Sequence, residues 1–142
     1  MKTQIKLKIE SEYDTKWVRF PLQKGENSAK AFKALDLKNS DGYRIIGVEF
    51  FDHQKSARAL FHAKNLHEVN YFAHLYEALS DDEKWIYRTM TESSCIETET
   101  VADLIRFILA MDEYFCIAAW CGSKTKHVDA PLRIPDKYKV RL

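Results

Sequence analysis

Ten carboxylates lie between positions 77 and 113 of this 142-residue chain: Glu77, Asp81, Asp82, Glu83, Glu92, Glu97, Glu99, Asp103, Asp112 and Glu113. On rigid helices, acids at i, i+4 stand ~6 Å apart. That is comparable to the few-ångström repeat of phosphate charge along duplex DNA. A protein that normally grips phosphates could therefore grip such a surface instead. The plainer reading is local, because acids at helix starts complement the positive end of the helix dipole.

Other chemistry is thinly represented. His67 and His74 share a helix face with Asn70 between them, but two turns separate them by ~10 Å along the axis. Metal pairs on helices use i, i+3 or i, i+4, so structural histidines are the expectation. Cys116, Cys121 and His127 make C-x4-C-x5-H without a second half-site, which reads as small buried thiols. HExxH, a Walker loop, GxGxxG and a nucleophile elbow are all missing, and the four glycines are scattered. The chain is expected not to be an enzyme and to need no cofactor or metal.

The elements that would position these residues follow from periodicity. In "QIKLKIE", Ile5, Leu7 and Ile9 alternate with Gln4, Lys6 and Lys8, the period-2 pattern of a half-buried strand. "WVRFPL" (Trp17 to Leu22) reads as a second strand that Pro21 pushes to an edge or an end. Asn27 or Ser28 can cap a short helix through Leu35, with Ala31, Phe32 and Leu35 inward. "NSDG" (Asn39 to Gly42) is a turn, and "YRIIGVEFF" after it is the most strand-like run. The period changes from Asn65: Leu66, Val69, Phe72, Leu75, Tyr76 and Leu79 recur at helical spacing. Ser80 opens a capping box with Glu83, before a helix carrying Trp85, Ile86 and Met90. Val101, Leu104, Ile105, Ile108 and Met111 form a further stripe. "YFCIAAW" reads as helix or strand, and Tyr138, Val140 and Leu142 read as an edge strand or docking tail.

The fold expectation is therefore α+β: a small N-terminal β-β-α-β sheet module (residues 1–63) packed with a three- to four-helix bundle (64–115), followed by a tail (116–142). Composition is that of a soluble globular chain, 46% hydrophobic and 30% charged. Residues 1–10 lack a signal-peptide apolar run, and no run approaches the ~18 residues of a membrane span. Cys95, Cys116 and Cys121 have no framework spacing, which favours reduced thiols in the cytoplasm. Net charge is +1, unevenly spread: +4 over residues 1–63, −7 over 64–115 and +4 over 116–142. Asymmetry of this kind steers association.

The stretches "NLHEVNYFAHLYEALSDDEKWIYRTM" and "ETVADLIRFILAMDEYFCI" resemble the central helical region of ArdA-type antirestriction proteins. Leu66, Glu68, Val69, Asn70, Phe72, Ala73, Tyr76 and Leu79 follow the family's first pattern, and Ser80 to Glu83 its acidic turn. Val101, Asp103, Leu104 and Ile105 follow its V-x-D-L-I, and Asp112 to Tyr114 its acid-aromatic stretch. The likeness covers roughly residues 15–120 and the first two domains only. The chain is near neutral where the family is acidic throughout, and 27 residues follow Phe115 in place of a third domain.

The resemblance implies an inhibitor from a mobile element that binds a host DNA-processing enzyme, the Type I restriction-modification enzyme, by imitating DNA with the ten carboxylates named above. A nucleic-acid-binding or adaptor module using the basic N- and C-terminal segments is the alternative. "KTQIKLK" and "WVRF" could offer a basic face with aromatics for stacking. Direct nucleic-acid contact ranks behind the protein partner, and an RNA-guided nuclease is a third possible target. The oligomeric state is left open.

Overall fold

The structure, a computed structural model, describes residues 5–11, 14–22, 43–63, 65–93, 98–111 and 134–135. The fold is α+β, and among the described residues it has a three-stranded antiparallel sheet with four helices. Strand β1 (Ile5–Ser11) lies centrally between β2 (Thr15–Phe20) and β3 (Tyr43–Glu49). Alternation drives β1: Ile5, Leu7 and Ile9 are buried while Lys6 and Lys8 face away from the core. The turn into β2 is closed by Ser11 N donating to the Asp14 carbonyl at 2.8 Å, and the Asp14 carboxylate accepts from Thr15 N at 2.8 Å. β2 lies at an edge and ends before Pro21, as the proline requires. The Phe20–Pro21 peptide is cis.

β3 carries a bulge. Lys8 faces Gly47 and Ile9 faces Ile45, which leaves Ile46 as the extra residue. β3 ends at Glu49, earlier than its apolar run. Asp52 takes a positive φ of 63° and turns the chain into a helix that the apolar pattern does not announce, α1 (Gln54–Phe61). Three more helices follow: α2 (Leu66–Glu77), α3 (Asp81–Glu92) and α4 (Val101–Leu109). The Asn65 side chain caps α2 by accepting from Glu68 N at 2.9 Å. The expected Ser80–Glu83 capping box starts α3, and Thr100 with Asp103 builds a second one on α4.

The buried side chains of sheet and helices form one cluster. Ile5, Leu7, Ile9, Val18 and Phe20 meet Val69, Phe72, Tyr76, Tyr87, Leu104, Ile105 and Ile108. α3 departs from expectation in one place. Tyr87, Met90 and Thr91 face the core, whereas Trp85, on the opposite side of the helix, is 65% exposed. The polar Asn70 is also buried, because its side-chain carbonyl accepts from Leu22 N at 2.9 Å and so ties the end of β2 to α2. Ile134 packs partly buried against the core. The expected helix over 27–35, the turn over 39–42, and the rest of the tail lie outside the described residues, as do Cys95, Cys116, Cys121 and His127. No described helix is long and apolar enough to cross a membrane.

Candidate functional site

Helix α3 carries four of the ten carboxylates, Asp81, Asp82, Glu83 and Glu92, and two of these are engaged at helix starts. Glu83 Oε1 accepts from Ser80 N at 2.9 Å, which commits it to the helix start. Asp103 does the same on α4. Its Oδ2 accepts from Glu99 N at 3.1 Å and Thr100 N at 3.2 Å, while Oδ1 meets Arg106 at 3.4 Å. The Asp103 side chain is only 12% exposed, so a partner has little of it to touch. Glu92, at the far end of α3, accepts from Lys55 N at 3.0 Å. Lys55 Nζ in turn donates to the Ser93 carbonyl at 3.0 Å. His53 makes no side-chain cap on α1, so Glu92 supplies that cap from another helix.

Four of the ten carboxylates remain as an outward set: Asp81, Asp82 and Glu99 exposed, Glu77 half-buried. Glu97, Asp112 and Glu113 lie outside the described residues. Asp81 and Asp82 stand four and three positions before Trp85, so all three share one helix face. The same outer face continues through Arg88, which pairs with Asp52 at 3.8 Å. A large exposed indole between carboxylates is a fit anchor for a protein interface, where aromatic residues carry most of the binding energy. The sequence reading placed Trp85 with the apolar positions. The signal that separates them is that Tyr87, not Trp85, falls in phase with Met90 and Thr91.

A second polar group went unnoticed in the sequence and lies inside the helical layer. His53 is 4% exposed, stacked on Phe50 at 4.0 Å between ring centroids, with Nε2 3.1 Å from the Tyr76 hydroxyl. Beside it the Tyr87 and Ser56 hydroxyls are 2.8 Å apart. Burial lowers the His53 pKa from 6.5 to about 4, helped by the Arg88 cation and opposed by the Asp52 carboxylate. Burial likewise pushes the Tyr87 phenol up, against its hydrogen bond with Ser56. The group is a buried neutral insert in an aromatic core, in which His53 Nδ1 has no hydrogen-bond partner among the described residues. His67 and His74 are both half-buried on α2. Among the described residues no group of three or more His, Cys, Asp or Glu could hold a metal ion.

Charge separates by layer. The described residues of the sheet and its turns, 5–50, carry five Lys/Arg and three Asp/Glu, and those of 51–111 carry five and nine. No family model, curated protein or solved structure matches the chain.

Proposed function

We propose that this chain is an antirestriction-like inhibitor that binds a host DNA-processing enzyme, in the first instance a Type I restriction-modification enzyme, through the outer face of α3. The observation that carries the reading is the placing of Asp81 and Asp82 beside the exposed Trp85, on the side of α3 away from the core. Carboxylates alone would steer encounter with a basic DNA-binding surface and make it salt-sensitive. The indole adds an apolar anchor that a phosphate backbone lacks, so the target surface needs a slot for a ring among its cations. The partial likeness to ArdA-type proteins supports the target class. With Glu83, Glu92 and Asp103 holding helix ends, the contact is smaller than a ten-carboxylate array and centres on one helix.

The test is plating of unmodified phage on a Type I restricting host, with and without the protein. Relief of restriction is expected. The double variant Asp81→Asn, Asp82→Asn should lose it, as should Trp85→Ala. Neither change touches the capping box or the core, so circular dichroism should be unaltered. Unchanged restriction with folded, expressed protein would remove the Type I claim.

A further inference from the structure

The outer face of the sheet, opposite the helices, has a composition and geometry of its own. Cross-strand register places Arg19, Lys6 and Glu49 in one row, Trp17, Lys8 and Gly47 in the next, and Thr15, Glu10 and Arg44 in the third. Trp17 is 44% exposed and occupies the middle row. Its indole reaches from β2 across β1 to β3. A Cβ built on Gly47 would stand 3.2 Å from Trp17 Cη2 and 3.2 Å from Lys8 Cβ. Gly47 therefore provides the space in which the ring lies across the strands, and any side chain there would lift it. The Lys8 ammonium sits 5.9 Å from the ring centroid, at cation–π distance.

The face carries four cations, Lys6, Lys8, Arg19 and Arg44, against two acids, Glu10 and Glu49. Lys6 and Arg19 form no ion pair with a described residue, and Arg44 is held by Glu10. Ile46, the bulged residue, adds exposed apolar surface at the β3 edge. Lying across the sheet, Trp17 keeps 44% of its surface exposed. A part-exposed indole flanked by Lys6, Lys8 and Arg19 suits a base against the ring and phosphates on either side. We propose that this face binds single-stranded DNA, with one base stacked on Trp17 and its flanking phosphates on Lys6, Lys8 and Arg19. A duplex cannot serve equally, because its bases are stacked on each other and only backbone would reach the cations. Charge complementarity selects a polyanion, and the exposed ring selects an unpaired strand. The inference is independent of the α3 face, whose residues take no part in it.

The experiment is fluorescence anisotropy of a fluorescein-labelled oligothymidylate titrated with the full chain, in parallel with a duplex of equal length. The single strand should bind more tightly than the duplex, and affinity should fall with salt. For single strands the slope of log K on log salt is ~0.7 per phosphate neutralised, so three cations give roughly −2. Trp17→Ala should weaken binding about tenfold or more, the loss of one base–ring stack. In case that variant unfolds, Lys6→Gln with Lys8→Gln, both on the outer face, should flatten the salt slope in a folded protein. Trp85→Ala should leave binding unchanged. Equal affinity for the duplex overturns the proposal, as does an unchanged affinity in the Trp17 and Lys6/Lys8 variants. A much tighter complex with the ribose oligomer overturns the choice of DNA. Self-association through Trp17 without oligonucleotide binding would assign the face to a second copy instead.

Discussion

His53 shows how one residue couples the interior of this protein to pH. Its folded pKa, about 4, lies below the 6.5 of an unconstrained imidazole, so the folded state resists protonation that the unfolded chain accepts. Between these values the unfolded state binds more protons, and stability rises with pH. The contribution is complete above pH ~6.5 and is lost as pH falls toward 4, about 3 kcal/mol for a shift of this size. Urea midpoints measured from pH 4 to 7 should fall steeply on the acid side. His53→Gln should flatten that limb, and an unflattened limb would place the acid sensitivity elsewhere. Nothing in "FFDHQ" marks the histidine as buried, since its partners Tyr76 and Tyr87 are 23 and 34 positions away in sequence. Asn70 was legible only in part. Its position in the helical pattern put it between core residues, but its bond to Leu22 N depends on where β2 ends.

Helix α1 is the element that local reasoning missed, and the cause is physical. Its N-cap, His53, contributes no side-chain bond, its first turn has no acid, and Ser56, Ala59 and Leu60 make a short, weakly apolar buried face. The missing cap arrives from Glu92, 37 positions after the Lys55 N–H that it accepts. By contrast α3 and α4 carry their own starts in Ser80–Glu83 and Thr100–Asp103, and α3 was readable from "SDDE". Removing either kind of cap should cost about 1 kcal/mol, but with different footprints. Ser80→Ala should speed amide exchange at the start of α3. Glu92→Ala should speed it at the start of α1, far away in sequence, and also weaken the α1–α3 contact. If exchange at Lys55 is unaffected by Glu92→Ala, the remote cap contributes nothing and α1 is held by packing alone.

On the scale of the molecule, a sheet with basic residues and a part-exposed indole lies on one side, and an acidic helical layer with a more exposed indole on the other. The two faces should separate in experiment. Asp81→Asn with Asp82→Asn should abolish restriction relief and leave oligonucleotide affinity intact, while Trp17→Ala should do the reverse. Loss of both activities in either variant would mean one shared surface or a folding defect, which thermal melts distinguish. The amino-acid sequence by itself determined β1, through period-2 alternation, and β3, through its strand-forming residues; the α2 and α4 stripes, through helical spacing; the start of α3, through its capping box; and the location of the acid along the chain. Those are properties of neighbours within a few residues, where one chain's local preference is decisive. Only the tertiary structure decided which carboxylates stay outward, which of Trp85 and Tyr87 is core, and that Trp17 lies over Gly47. Each of those depends on a partner from another element: the Lys55 N–H that engages Glu92, the packed aromatic cluster that takes Tyr87, and the β3 register that sets a glycine under the indole.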